Sequence, residues 1–271
     1  MAETFLTSDG VGLAYVRTGR PGERPLILVH GGATDSTCFD PLIPYLAGQH
    51  DVLAYDRRGH GASGDVPGPY DVGREVADLA ELAAFAAGGG HADVFGYSYG
   101  GSIALLLAAG PGASAAIGRL AVYEPPFAVD GLVPAGSRER ITDLLAAGDA
   151  DEALAEFIRL TFGLPDRVIA VMRRRPAWAA SLAALPALDR ELGVVTSVSP
   201  PGRLDPALDV LFLLGDTGGN PGFAAVAAEV TAAARNVTIG RVGGVPHLAI
   251  ATYTAPLARL LIAHFGRDEP A

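Results

Sequence analysis

The chain has 271 residues, of which 49% are hydrophobic and 18% charged, a balance that supports a large buried core and excludes a disordered polymer. Every one of its 20 basic residues is arginine, and 30 acidic residues leave a formal net charge of -10, which argues against a nucleic-acid backbone or an anionic membrane as partner. Cys38 is the sole cysteine, so an internal disulfide and a cysteine-built metal site are both excluded.

Length fits one α/β domain carrying an insertion. The first residues, MAETFLTSDG, lack the basic and apolar stretches of a secretory signal, so a cytoplasmic protein is expected. Apolar runs such as 103–109 fall short of the roughly 20 residues that a membrane span needs. Residues 4–18 alternate around Asp9-Gly10, as in a β-hairpin. Residues 25–30 and 51–56 are continuous apolar runs, the pattern of strands buried on both faces, with a short helix between them at 39–46. A helix over 72–87 stops at Gly88-Gly89-Gly90. A buried strand at 92–96, a helix at 101–109 and a strand at 120–123 continue the alternation, which predicts a mostly parallel sheet flanked by helices. From 127 to 204 no buried strand is expected; helices such as 137–147 and 150–160 follow one another, as in an inserted helical cap. Strands at 209–214 and 237–242, with helices at 223–234 and 256–265, then complete the sheet. The expected division is therefore 1–126 and 205–271 for the core and 127–204 for the cap.

Gly96-Tyr97-Ser98-Tyr99-Gly100 has the Gly-x-Ser-x-Gly form of a nucleophile elbow, in which a serine occupies a sharp strand-to-helix turn and small neighbours relieve crowding. With 35 glycines and ten serines, about 0.17 such matches arise by chance, so the setting decides. Here an apolar run leads into the motif and a helix-forming run leaves it. Together with His30-Gly31-Gly32, the segment from Asp56 to Gly61 that reads DRRGHG, and His247 near the end, the sequence resembles the α/β-hydrolase family over almost its whole length.

The resemblance implies that Ser98 is the nucleophile and His247 its base, since a serine hydroxyl needs a neighbouring imidazole to take its proton. His50, His91 and His264 read as solvated, and His60 as a residue that shapes its loop. Backbone donors for the oxyanion are expected at Gly32 and Tyr99, with Gly31 and Ala33 as alternatives. The acid departs from the usual pattern. The position three past Gly215, where most relatives carry it, is Gly218, and Asp216 is displaced. Haloalkane dehalogenases and mycotoxin lactone hydrolases instead place the acid after the strand that follows the nucleophile helix, where this chain has Glu124. Glu124 is preferred, with Asp216 as the alternative.

Serine at the elbow argues against the alkyl-enzyme chemistry of dehalogenases and epoxide hydrolases. The expected activity is hydrolysis of a carboxylic ester or lactone of a hydrophobic small molecule, with no cofactor and no metal. Thioester, carbon–carbon and non-hydrolytic chemistry, including a lyase, a cyclase or a simple binding protein, use similar parts. Phe127, Phe157, Phe162, Met172 and Trp178 are the candidate pocket residues of the cap, although aromatic residues at helical spacing usually pack in a core. Arg173-Arg174-Arg175 reads as a solvated run.

Overall fold

The computed structural model describes residues 2–216, 220–243, 247 and 249–266. Strands β1 (Glu3–Leu6) and β2 (Gly12–Gly19) form the opening hairpin, turned at Asp9-Gly10 with Gly10 at φ 86°. They are followed by β3 (Pro25–Val29), α1 (Ile43–Leu46), β4 (Asp51–Tyr55), α2 (Val72–Ala87), β5 (Ala92–Tyr97), α3 (Tyr99–Ala108) and β6 (Ile117–Tyr123). Five helices come next: α4 (Ser137–Ala146), α5 (Ala150–Phe162), α6 (Asp166–Met172), α7 (Pro176–Ala184) and α8 (Leu188–Val195). The chain ends with β7 (Asp209–Gly215), α9 (Gly222–Ala233), β8 (Val237–Val242), α10 (Ala249–Thr252) and α11 (Thr254–Phe265).

The eight strands form one sheet in the order β1-β2-β4-β3-β5-β6-β7-β8. Strand β2 runs antiparallel to β4, and all pairs from β4 to β8 are parallel. This is the expected mostly parallel sheet flanked by helices. Its central strands read as unbroken apolar runs because both faces are covered. In β3, Ile27 and Val29 pack with α2, α3 and α9 residues such as Leu79, Ile103 and Val226. Leu26 and Leu28 face the other way, toward Leu46, Leu257 and Leu261 of α1 and α11. Each such side chain contributes about 1.5–3 kcal/mol when fully buried.

Helices α4 to α8 bury a cluster of their own, including Ile141, Leu154, Ile158, Ile169, Trp178 and Leu188, and among the described residues Ala33 joins it from the core. The expected helix at 39–46 is instead a 3-10 turn over Ser36–Phe39 followed by the short α1. Pro41 and Pro44 explain the break, since neither offers an N–H to a continuous helix. The chain leaves β3 toward β4 and leaves β5 toward β6, in opposite directions, so the order reverses between β3 and β5, the place where a crevice opens at the carboxyl ends of the strands.

Candidate active site

The sheet is parallel from β4 onward, so residues that follow β3, β5, β6 and β8 meet at one edge. Ser98 follows β5 and precedes α3, with φ 52° and ψ -124°. Its carbonyl accepts from the N–H groups of Gly101 and Ser102 at 2.7 and 3.2 Å. The turn is tight enough that a Cβ on Gly96 would lie 2.6 Å from the Gly100 carbonyl oxygen, and one on Gly100 would strike the Val29 carbonyl. Glycine at both positions is therefore a steric requirement.

Glu124 follows β6 at φ 45° and is 2% exposed. Its Oε1 accepts from the Gly215 N–H at 2.9 Å, and its Oε2 lies 2.7 Å from His247 Nδ1. The imidazole is buried against Phe223 at 4.8 Å and 4° between planes, and against Tyr97 at 5.3 Å. Tyr97 also donates its hydroxyl to the His247 carbonyl at 2.9 Å. With Nδ1 facing a carboxylate, the proton of a neutral ring belongs on Nδ1. Nε2 is buried and has no hydrogen-bond partner among the described residues. Asp216 is exposed beyond β7. Thr217, Gly218 and Gly219, and Gly244, Val245 and Pro246 of the loop before His247, lie outside the described residues.

Tyr99 is the first residue of α3, so its N–H has no acceptor within the helix. On the opposite side, the Gly31 carbonyl accepts from His30 Nδ1 at 2.9 Å and from Arg57 Nη2 at 3.0 Å. In a trans peptide the carbonyl and the following N–H point in opposite directions, so these two bonds turn the Gly32 N–H away from His30 and Arg57. His30 accepts the Arg57 backbone N–H on Nε2 at 3.0 Å, which leaves Nδ1 as its donor. Burial, together with Arg57 and His60 nearby, holds the His30 imidazole well below its ordinary value and therefore neutral.

Gly32, Ser98 and Tyr99 open on a largely apolar cavity of about 60 Å³. Phe157 lines it, but Phe127, Phe162, Met172 and Trp178 do not. Phe127 is buried with the helices under the sheet, and Phe162 lies 5.4 Å from the His247 ring. Met172 and Trp178 pack among α4 to α8, where the Trp178 indole donates to Asp151 at 2.8 Å. Two expectations about histidines are corrected. His50 and His264 are 6% and 2% exposed, each packed against Phe265, so neither is solvated. Arg173 is engaged by Asp151 and Glu152, both at 2.7 Å.

Sequence reasoning did not single out Glu191. This residue of α8 is 2% exposed and lines the cavity beside Gly32. It pairs with Arg57, which is itself fully buried and held from its other side by Glu75 at 2.8 Å. One signal was available: Leu188, Glu191, Leu192 and Val195 recur at the spacing of a buried helix face.

An open, mostly parallel α/β sheet with a strained serine at a strand-to-helix elbow defines a class of fold and site. The chain belongs to the alpha/beta hydrolase family, whose model matches residues 26–260. It is similar, at 31% identity and a TM-score of 0.78, to the structure of an alpha/beta hydrolase from Sphaerobacter thermophilus, with 97% of this chain and 100% of that one covered. A 3-oxoadipate enol-lactonase 2 of Acinetobacter baylyi is 32% identical over 77 residues, 28% of this chain and 29% of that protein. A 2-heptyl-3-hydroxy-4-quinolone dioxygenase of Rhodococcus erythropolis is 35% identical over 110 residues, 38% of this chain and 39% of that protein. The chain thus matches well under half the length of either curated relative. Among the described residues no helix is long and apolar enough to cross a membrane.

Proposed function

We propose that the protein hydrolyses a carboxylic ester or lactone of a hydrophobic small molecule through an acyl-enzyme on Ser98. The observation that carries this reading is the 2.7 Å contact between Glu124 and His247 Nδ1, on the same sheet edge as a serine forced to positive φ. Glu124 fixes the tautomer, so His247 Nε2 keeps its lone pair. Nε2 takes the Ser98 proton as Oγ attacks the carbonyl carbon, and the resulting oxyanion is held by the N–H groups of Gly32 and Tyr99. His247 then returns the proton to the departing alkoxide. Water, deprotonated by the same nitrogen, attacks the acyl-enzyme, releases the acid and restores Ser98. The buried Nε2, without a partner among the described residues, suits a base whose bond to the nucleophile tightens when substrate binds.

Residues 127–204 act on this reading as a cap over the cavity. The enol-lactonase similarity supports an ester or lactone carbonyl as the reacting group. The alternative is a non-hydrolytic cyclase, lyase or small-molecule binding protein on the same fold, and the dioxygenase similarity supports it only in that a relative is named for non-hydrolytic chemistry. The two readings separate in a mutant series on p-nitrophenyl esters and aliphatic lactones. Ser98→Ala and His247→Ala should each lose about 10⁴-fold or more in kcat, and the double variant should lose little further. Losses that multiply, or turnover that survives in folded Ser98→Ala, would remove the acyl-enzyme.

A further inference from the structure

The cavity wall contains one charged side chain among the described residues, Glu191, set in a mostly apolar surface that includes Leu132, Leu160 and Leu192 together with the neutral polar side chains of Thr161 and Asn220. Its two oxygens are not equivalent. Oε1 is shared between Arg57 Nη2 and His60 Nε2, the latter at 3.1 Å. Oε2 is buried and has no hydrogen-bond partner among the described residues. It lies so close to the candidate oxyanion loop that a methyl carbon placed on Gly32 would sit 2.7 Å from it. Burial alone would push this carboxyl up, but Arg57 and His60 outweigh burial and hold it at about 2. At neutral pH it is therefore ionised and can only accept.

An ionised, unpaired oxygen in an apolar wall is costly, and beside an oxyanion site it opposes the charge that develops there. Both penalties are offset if a bound molecule donates to it. We propose that Glu191 is a specificity-determining residue whose free oxygen accepts a hydrogen bond from a hydroxyl of the substrate, a few bonds from the carbonyl that Ser98 attacks. The inference rests on the reading of Ser98 as nucleophile. A neutral hydroxyl fits better than an ammonium, because among the described residues the wall supplies no second carboxylate to balance a full cation. An anionic group is opposed by the ionised Glu191 oxygen that it would face.

The test compares matched p-nitrophenyl acyl esters carrying a 2-, 3- or 4-hydroxyl with their deoxy and methoxy counterparts. It measures wild-type kcat/KM and, by calorimetry, binding of the intact esters to Ser98→Ala. At least one hydroxy ester should be favoured over its deoxy partner by about thirtyfold, the worth of leaving a buried acceptor unpaired. In Glu191→Gln the amide must turn its carbonyl toward Arg57, which presents its NH2 to the cavity, so the preference should reverse toward the methoxy ester. Discrimination in binding without wild-type turnover supports the role of Glu191 and removes the acyl-enzyme reading. Turnover in which hydroxy and deoxy esters are equivalent at all three positions overturns the role of Glu191 and leaves the hydrolase reading intact. A Glu191→Gln effect equal on both members of every pair overturns it as well.

Discussion

Ala33, Ser98 and Glu124 adopt φ values of 50°, 52° and 45°, alone among the described non-glycine residues. Such a backbone costs an ordinary residue about 1–3 kcal/mol and persists only where its surroundings over-determine it. All three stand just past the carboxyl ends of β3, β5 and β6, which is where the proposed chemistry needs them. At Glu124 the strain is held by the backbone N–H, bonded to the Leu213 carbonyl at 3.0 Å, and by Oε1 on Gly215. Glu124→Gln should therefore lower kcat by about 10⁴-fold, the scale for losing an orienting carboxylate, with a much smaller change in KM. Asp216→Asn, altering an exposed side chain, should leave kcat within severalfold. Circular dichroism checks the folding of both variants. An inactive Asp216→Asn beside a nearly normal Glu124→Gln would move the acid to β7. The sequence left these two carboxylates open because the contact with His247 spans 123 positions, and only strand register brings its ends together.

Close approach of elements sets the next scale. Helix α3 touches β3 where Gly100 lies under the Val29 and His30 carbonyls. Gly100→Ala should cost about 3 kcal/mol or more in urea unfolding, whereas Gly90→Ala, whose Cβ would stand 3.6 Å from the Ala87 carbonyl, should change little. Between β5 and β6, the 1% exposed Asp93 accepts the Arg119 N–H at 2.8 Å. Burial raises its carboxyl from 3.8 to about 6, against the opposing pull of Arg24. A raised carboxyl binds its proton more tightly folded than unfolded. Its penalty is thus absent below pH 3.8, grows as pH rises toward about 6, and is constant beyond, at about 3 kcal/mol. Unfolding free energies at pH 4 and pH 7 should differ by this contribution, and Asp93→Asn should remove it. The strands were legible in the sequence because burial on both faces leaves continuous apolar runs. The start of α3 was placed two residues late, at Gly101, because the positive φ of Ser98 lets the helix begin at Tyr99. Glu191 escaped notice because its partner Arg57 is 134 positions away, and Asp189-Arg190-Glu191 looks like a solvated charge run.

At the scale of the whole molecule, α8 supplies part of the wall of the cavity of about 60 Å³ beside Ser98, so how firmly α8 is held to the core bears on the size of substrate admitted. Arg190 ties them: it pairs with Asp65 at 2.5 Å, donates to the Arg58 carbonyl at 3.0 Å, and lies 4.8 Å from the Tyr70 ring centroid. Arg190→Ala should cost about 1 kcal/mol of stability, speed amide exchange in α8, and favour bulky esters relative to small ones. Unchanged exchange in α8 would mean that the tie lies elsewhere. Motif order made the fold readable at this scale, since His30-Gly31-Gly32, the elbow and His247 occur in the sequence that the sheet requires. The acyl-enzyme itself is tested most directly by intact-mass spectrometry after brief exposure to a fluorophosphonate. The account predicts one adduct per chain, located on Ser98, absent in Ser98→Ala and strongly slowed in His247→Ala. Wild-type protein that stays unlabelled, or an adduct that persists in Ser98→Ala, would contradict it.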